Sequence, residues 1–210
     1  MITFNVGEDK AALLTVTLLG LLVSGTLEVQ AVMYWYHRFQ HRFSFAWRML
    51  HQVHHGVPRV DIPSALVAHP LDVIVSTTLS ILVTAFLLGL DLRAVAIVSV
   101  LQFFITLFPH WNVRTPNWVG YPIQRPEEHI LNHQREAHGG NFSDWPLWDK
   151  LFGTYRAPVE EPIRVGFDKA EFAEQLKMLA FVDVNAPAES MEGVLKVQPG
   201  RAACVREMHL

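Results

Sequence analysis

The sequence predicts an all-α integral membrane protein with about three membrane segments and a histidine-rich helical cap on the cytosolic side. Half of the 210 residues are hydrophobic, and many of these lie in three long apolar runs. The mean hydropathy of +0.21 is high for a soluble protein of this size. The net charge of −3 is small and the basic residues form no long run, so nothing predicts a nucleic-acid partner. The single cysteine, Cys204, excludes an intramolecular disulfide and a thiolate metal site.

The three apolar runs predict the membrane segments. Residues 11–36 carry only one charge, Glu28, and as a helix would extend about 39 Å, which exceeds a bilayer core of about 30 Å. Residues 71–90 and 92–108 form two further runs, and the short turn between them predicts a helical hairpin. The alternative is a soluble protein in which the same runs are buried core helices.

The distribution of arginine predicts the topology. With three crossings, the loop 37–70 and everything after residue 110 lie on one side of the membrane. That side carries most of the arginines: Arg38, Arg42, Arg48, Arg59, Arg114, Arg125 and Arg135. The opposite side carries Lys10 and Arg93, so the positive-inside rule places the histidine-rich side in the cytoplasm.

Histidines cluster directly after the first apolar run. The chain contains 11 histidines, and five lie between residues 37 and 55. His37 and His41 would lie one helical turn apart on one face. The HxxHH pattern at 51–55 (His51, His54 and His55) would spread over a face wide enough to reach two metal ions. Neutral imidazole suits Zn, Cu, Fe and Ni, so the pattern predicts a metal site more strongly than a single HxxxH pair would.

A third histidine box follows the predicted hairpin. His129 and His133 repeat the one-turn spacing, with Asn132 between them. Three more histidines flank the boxes and are further ligand candidates: His69, His110 and His138. Four nearby carboxylates could orient ligand imidazoles, although a solvated surface position is the more ordinary interpretation of each: Glu127, Glu128, Asp144 and Asp149.

These motifs together resemble the fatty acid hydroxylase/sterol desaturase superfamily of membrane di-iron enzymes. The resemblance rests on the three ordered boxes, on AHP at 68–70 and on NF…WDKLFGTY at 141–155. It covers roughly residues 30–160. The corresponding division of the chain is a membrane domain at 1–160, followed at 161–210 by a short helix and a loose tail.

The resemblance implies a membrane oxidoreductase with two non-haem iron ions, for which zinc could substitute on purification. Such an enzyme uses O2 and an external electron donor to hydroxylate or desaturate a fatty acyl or sterol-type lipid in lipid biosynthesis. The chemistry would need no catalytic side chain beyond the metal centre. The implied ligands are His37, His41, His51, His54, His55, His129 and His133, with His69, His110, His138 and Asn132 as additional candidates.

The chain departs from the family pattern at two points. Asn132 stands where the third box usually has histidine, and its amide oxygen is a weaker ligand for a late first-row metal. We therefore expect Asn132 to face the metals, the second metal to bind more weakly, and Asn132→His to raise metal occupancy. The chain also has three apparent membrane segments where four are common, so another subunit could supply substrate-tunnel walls and an oligomer is compatible with the sequence.

Other functions remain open at this point. No GxGxxG, CxxCH or cysteine cluster is present, so the electrons of an oxygenase would come from a separate donor protein. Asn132 also suits a non-catalytic relative with a partial or structural metal site. A membrane metal-binding or transport protein is the third hypothesis, but a transporter needs ligands inside its helices, and the apolar runs carry only Glu28, Gln30 and Gln102 at depth.

Overall fold

The computed structural model describes residues 6–135, 137–168 and 173–184, and every regular element in these ranges is helical. In chain order the elements are α1 (Val6–Arg42), α2 (Ser44–Ala46), a π-helical turn (Trp47–His51), α3 (Gln52–His55), α4 (Ile62–Ala65), α5 (Pro70–Ile81) with a second π-helical turn (Leu82–Leu87), α6 (Leu92–Leu107), 3-10 turns (Phe108–His110 and Asn117–Gly120), α7 (Pro126–His129), α8 (Pro146–Leu151) and α9 (Gln175–Leu179). The all-α prediction is confirmed for this part of the chain.

Within the described residues, two helices are long and apolar enough to cross a membrane. They cover Pro70–Leu87 and Leu92–His110, with mean hydropathies of 1.8 and 1.9. Only 17% and 22% of their residues are buried inside the protein, whereas a core helix of a soluble protein would be mostly covered. These helices therefore indicate a membrane protein and argue against the soluble alternative.

The turn between the two helices lies beside the middle of α1. Asp91 caps α6, and its Oδ1 accepts a hydrogen bond from the Arg93 N–H at 2.8 Å. A Cβ added at Gly25 would lie 3.4 Å from the Leu90 side chain and 3.5 Å from that of Val98. These are ordinary van der Waals distances, so Gly25 lies where the end of the hairpin packs against α1.

Helix α1 contains the first predicted membrane segment. Its 37 residues, Val6–Arg42, extend about 55 Å at 1.5 Å per residue, and the predicted segment 11–36 falls entirely within them. The side chains of residues 6–22 and 24 lie outside the described part. A third crossing and a cytosolic cap therefore stay predictions.

Residues 43–69 and the described residues after 110 are called the cap, and the cap packs directly on the hairpin. The buried side chains of Tyr36, Ala46 and Leu50 form one apolar cluster, and Leu71 and Val75 of α5 pack against it. The segment that carries the second histidine box therefore lies level with the first turns of α5. This contact brings the HxxxH and HxxHH boxes together at one end of the apolar helices.

The C-terminal part of the described chain wraps over the second histidine box. Met178 of α9 is fully buried and packs in a cluster with Trp47. The Gln52 amide donates to the Val182 carbonyl at 2.8 Å and accepts from the Val184 N–H at 2.9 Å. The described residues beyond 160 contain the short helix α9, whereas the predicted loose tail, from residue 185 onward, lies outside the described residues.

The topology can be tested by labelling single cysteines in a Cys204→Ser background. We expect Arg59→Cys and Tyr121→Cys to react with an impermeant maleimide from the same side of the membrane, because both residues lie on the cap and are exposed. Leu92→Cys, at the hairpin turn and also exposed, should react from the opposite side. Labelling of positions 59 and 121 from different sides would contradict a shared cap.

Candidate metal centre

Eight histidines collect into two groups at the cap end of the hairpin. Within each group, one ring nitrogen of every residue lies within 4.8 Å of the corresponding nitrogens of the other three. Cluster one consists of His37, His41, His51 and His55, and cluster two consists of His54, His110, His129 and His133.

Cluster one joins the first two histidine boxes. His37 and His41 are one turn apart on α1, and His51 and His55 are one turn apart across the end of the π-helical turn. The Nε2 atom of His37 lies 3.0 Å from that of His41 and 2.9 Å from that of His51. His37 and His41 are half-buried, whereas His51 and His55 are buried.

Cluster two joins the second and third boxes through the end of α6. The Nε2 atom of His110 lies 3.3 Å from that of His54 and 3.1 Å from that of His129. The Nε2 atoms of His129 and His133 are 3.2 Å apart. All four side chains are buried, so the protein itself shields this cluster from solvent.

The two clusters are in direct contact, and the shared boundary is formed by His54, His55 and His133. His54 and His55 are adjacent in the chain but contribute to different clusters. The ring of His55 stacks on that of His133, with centroids 4.2 Å apart and an interplanar angle of 18°. Two ions held by the clusters would therefore be neighbours in a single centre.

Backbone carbonyls orient imidazoles of both clusters. The Nδ1 atom of His37 lies 2.6 Å from the Phe142 carbonyl oxygen, and that of His54 lies 3.2 Å from the Val67 carbonyl oxygen. A carbonyl oxygen can only accept, so each Nδ1 must carry the proton. Each Nε2 then presents a lone pair to its cluster.

Two further imidazoles of cluster two are oriented in the same way. The Nδ1 atom of His110 lies 3.2 Å from the Thr106 carbonyl oxygen, and that of His129 lies 2.7 Å from the Gln124 Oε1. The Gln124 amide nitrogen donates elsewhere, to a backbone carbonyl, which leaves its oxygen to accept from His129. Partners of this kind hold metal-ligating histidines in the required tautomer.

This arrangement fits a bound cation. With their protons on Nδ1, neighbouring imidazoles direct lone pairs at one another across about 3 Å and cannot hydrogen-bond to each other. A cation bound by these nitrogens would replace that repulsion with coordination. All-imidazole sites suit late first-row divalent ions such as iron and zinc.

Asp72 links the membrane hairpin to cluster one. Its carboxylate accepts hydrogen bonds from the Tyr36 hydroxyl at 2.6 Å and from the Gln40 amide at 2.8 Å. The other carboxylate oxygen lies 3.5 Å from the Nδ1 of His51, the arrangement of a carboxylate that supports a metal-ligating histidine. The sequence pattern did not single out Asp72 for this role, although a lone acid at the start of an apolar run was a usable signal.

Burial keeps the cluster imidazoles neutral. Desolvation is the main cause that lowers the pKa of five histidines in the cap: His51, His54, His55, His129 and His133. Neighbouring imidazoles lower the pKa of His55 and His133 further, because two adjacent positive charges would repel. At neutral pH these nitrogens therefore remain available as ligands.

His138 lies against cluster one without joining the four. Its Nδ1 atom is 2.8 Å from the Nδ1 of His41, and its ring stacks on Trp47 at 4.6 Å. Because the Nε2 of His41 faces the cluster, its Nδ1–H is the donor and His138 is the acceptor. His138 therefore supports His41 by accepting its hydrogen bond.

His69 lies outside both clusters. Its Nδ1 accepts from the Leu71 N–H at 3.1 Å and caps α5. Its Nε2 lies 3.2 Å from the Leu179 carbonyl oxygen, to which it donates. Both ring nitrogens are therefore engaged in holding the hairpin and the C-terminal segment together.

Asn132 is fully buried within the cap. Its Nδ2 donates to the Gly140 carbonyl at 2.9 Å, while its Oδ1 has no hydrogen-bond partner. An unpaired buried oxygen costs about 1–3 kcal/mol, and a cation or a metal-bound water would remove that cost. His110 nevertheless completes cluster two, so Asn132 is not needed to reach four nitrogen ligands.

This ligand count changes the result expected for Asn132→His. We expect the unmodified protein to bind two metal ions per chain and Asn132→His to bind no more than two, because each cluster already has four imidazoles. Metal analysis per purified chain measures this, with Asn117→His at an exposed position as the control. A rise in Asn132→His alone would instead identify Asn132 as a weak point of the centre.

The four candidate carboxylates hydrogen-bond directly to groups other than the imidazoles. Glu127 forms an ion pair with Arg125 at 3.0 Å. Glu128 accepts from the Arg125 N–H at 3.0 Å and from the Tyr155 hydroxyl at 2.9 Å. Asp144 and Asp149 hold the loop that follows the third box.

Comparison with known proteins identifies a family and two relatives that the chain resembles. Residues 22–154 match the family model described as fatty acid hydroxylase. Proteins described as "Very-long-chain aldehyde decarbonylase GL1-9" from Oryza sativa subsp. indica and subsp. japonica are each 25% identical over 170 residues. The chain spans 63% of the length of these relatives, and the alignment covers 74% of the chain. No solved structure matches it.

The family match covers more than half of the 210 residues. It also contains every histidine of clusters one and two. The chain belongs to the fatty acid hydroxylase family.

Proposed function

We propose that this protein is a membrane-bound di-iron oxygenase that uses O2 and electrons from a separate donor protein to hydroxylate or desaturate a lipid. The two four-histidine clusters carry the proposal. They are in direct contact and lie at the end of an apolar helical hairpin. When bound, the two irons would supply the activation of O2.

The side chains around the centre have separate tasks in this function. The four histidines of cluster two are buried and would exclude water from a metal bound there, whereas the half-buried His37 and His41 leave cluster one partly open. We assign the approach of O2 and substrate to the side of cluster one. Open positions distinguish catalytic metal sites from closed structural ones.

A lipid substrate is supported by the apolar surface around the centre. The hairpin helices expose large side chains such as Phe86 and Phe104, the end of α1 exposes Trp35, and the base of the cap exposes Leu147 and Leu151. A lipid chain can therefore reach the cap from the membrane while staying in contact with apolar surface. The electron donor would approach the opposite, cytoplasmic surface of the cap.

A second reaction outcome comes from the relatives, whose description names aldehyde decarbonylation. The same centre would then act on a long-chain aldehyde and remove its carbonyl carbon. The two outcomes differ in substrate and product, and both use the same protein ligands. Product analysis separates them.

The non-enzymatic alternatives make different demands on the chain. A transporter needs metal ligands along its path through the membrane, whereas the hydroxyls of Ser76, Ser80 and Thr84 in the hairpin donate to carbonyls of their own helix. A non-catalytic relative with a partial site would lack ligands, whereas both clusters here contain four imidazoles. A non-catalytic relative with a complete structural site would bind metal without consuming O2.

The proposal is tested with protein purified in lipid nanodiscs and loaded anaerobically with ferrous ion. We expect about two irons per chain and O2 consumption that depends on both a reductant and a long-chain lipid. Mass spectrometry with 18O2 then distinguishes a hydroxylated lipid from an alkene or a shortened hydrocarbon. Two irons without lipid-dependent O2 consumption would favour the non-catalytic alternative, and no iron would refute the centre.

A further inference from the structure

We propose that residues 141–149 form one positioning element shared by both metal clusters, and that Asn141 is the residue that fixes it. The proposal rests on the metal centre of the proposed function and adds the means by which its two halves are aligned. The segment contains none of the eight clustered histidines. It belongs to the NF…WDKLFGTY motif, to which the ligand set alone assigns no role.

The first link runs to cluster one. The Phe142 carbonyl accepts the hydrogen bond from His37 Nδ1 at 2.6 Å. The N–H groups of Phe142 and Ser143 each donate to the Asp149 carboxylate at 2.8 Å, and the Thr154 hydroxyl donates to it at 2.7 Å. Asp149 therefore holds in place the peptide units that orient His37.

The second link runs to cluster two through Gln124. The Gln124 backbone N–H donates to the Asp144 carbonyl at 2.7 Å, and its side-chain amide donates to the Asn141 carbonyl at 3.1 Å. These contacts direct the Gln124 Oε1 at His129 Nδ1, 2.7 Å away. The position of His129 is thus tied to the same segment that orients His37.

A third link reaches cluster two through the end of α6. The Thr106 hydroxyl donates to the Asp144 carboxylate at 2.7 Å, and Gln30 of α1 donates to the same oxygen at 3.1 Å. The Thr106 carbonyl accepts from His110 Nδ1 at 3.2 Å. Asp144 therefore fixes the turn of α6 that orients His110.

Asn141 is suited to anchor this segment. It is fully buried and has a φ of 56°, a left-handed conformation that asparagine tolerates better than most residues. Its amide nitrogen donates to the Glu128 and Arg156 carbonyls at 2.7 and 2.9 Å, and its oxygen accepts from the Arg156 N–H at 2.7 Å. Glycine would permit the backbone but would provide none of these bonds.

The consequence is a mechanical connection between the clusters. The segment holds the hydrogen-bond acceptors of His37 and His129 and, through Asp144, the turn that orients His110. Release of Asn141 should therefore disturb both metal sites together. A change confined to one of the links should disturb only the cluster that it serves.

The test is a titration of metal-free protein in nanodiscs with Co2+, whose visible spectrum reports the ligand geometry. We expect Asn141→Gly to weaken both Co2+ sites at least about tenfold and to alter both spectra, as loss of a supporting hydrogen bond around a metal typically does. Asn112→Gly is the matched control, because Asn112 also has a left-handed φ, of 53°, but is exposed. It should bind Co2+ like the unmodified protein.

Two further variants complete the test. Gln124→Met removes the link from the segment to His129 and should weaken one site only. Asp72→Asn lies outside the segment and acts on His51, so it should weaken only the other site. If Asn141→Gly does not fold, the Gln124→Met result still decides, because wild-type affinity at both sites would overturn the proposal. If Asn141→Gly weakens only one site, or neither site, the proposal is also overturned. Failure of the unmodified protein to bind two Co2+ ions would refute the metal centre itself, a different result.

Discussion

Replacement of His129 by alanine should remove one of the two metal ions and lower lipid-dependent O2 consumption by more than about a hundredfold. The His129 Nε2 lies within 3.2 Å of two other ligand nitrogens in cluster two, and its loss leaves three imidazoles in a buried site. It also leaves the Gln124 oxygen without its donor. Loss of a ligand should exceed the about 10–100-fold effect of losing a supporting group.

Metal analysis and O2 uptake, measured on the same preparation, check this result. His55→Ala should have the corresponding effect on cluster one. His69→Gln is the control, because His69 caps α5 and lies outside both clusters, so this variant should keep two ions. Two ions and full activity in His129→Ala would remove His129 from the centre, and full activity in His37→Ala or His51→Ala would do the same for those residues.

Acidification of the metal-free protein below about pH 6.5 should open the cap. Burial lowers the pKa of five cap histidines: His51, His54, His55, His129 and His133. In the folded state they stay neutral as the pH falls, whereas in the unfolded state they take up protons near pH 6.5. Between about pH 6.5 and its lower pKa in the folded state, each histidine therefore reduces the free energy of unfolding as the pH falls, by about 1.4 kcal/mol per pH unit at most, and it contributes nothing above about pH 6.5.

Because the pKa of all five histidines shifts in the same direction, their contributions add, and the free energy of unfolding should fall steeply as the pH drops below about 6.5. Burial also raises the pKa of carboxyl groups outside the membrane-spanning helices, which opposes this effect: Glu128, Asp144 and Asp149. A bound metal competes with the protons, so the metal-loaded protein should open at a lower pH.

Tryptophan fluorescence as a function of pH measures the opening, because Trp47 packs against His41 and His138. The metal-free protein in nanodiscs should show a reversible transition that begins just below pH 6.5. Loading with Zn2+ should move the midpoint to lower pH. A transition near pH 4 in both forms would show that carboxyl groups, rather than the histidine clusters, control the opening.

The sequence predicted the parts of this structure that depend on local periodicity. The two apolar runs became the membrane hairpin, and the one-turn spacing of His37 and His41 placed both rings in one cluster. Local spacing also indicated that the HxxHH box could reach two metals. It did so because helical geometry alone determines which side chains of a short segment share a face.

The remaining features depend on contacts between distant segments, which periodicity does not specify. The sequence marked His110 only as a flanking candidate, but the fold brings the end of α6 to the third box and places His110 in cluster two. The sequence also marked His69 as a candidate ligand, whereas in the structure His69 caps α5. The role of Gln124 depends on a loop about 20 residues further along the chain. No pattern around Gln124 marked it as a partner of His129.

The length of the hairpin has a consequence for the choice of membrane. Its spans of 18 and 19 residues extend about 27 and 28 Å. This hydrophobic length matches a thin bilayer such as that of the endoplasmic reticulum, at about 27 Å, better than a sterol-rich plasma membrane of about 32–33 Å. In the thicker bilayer the turn with Asp91 and Arg93 would be drawn towards hydrocarbon, or the lipid around it would have to thin. Hydrophobic mismatch therefore favours residence in thin membranes.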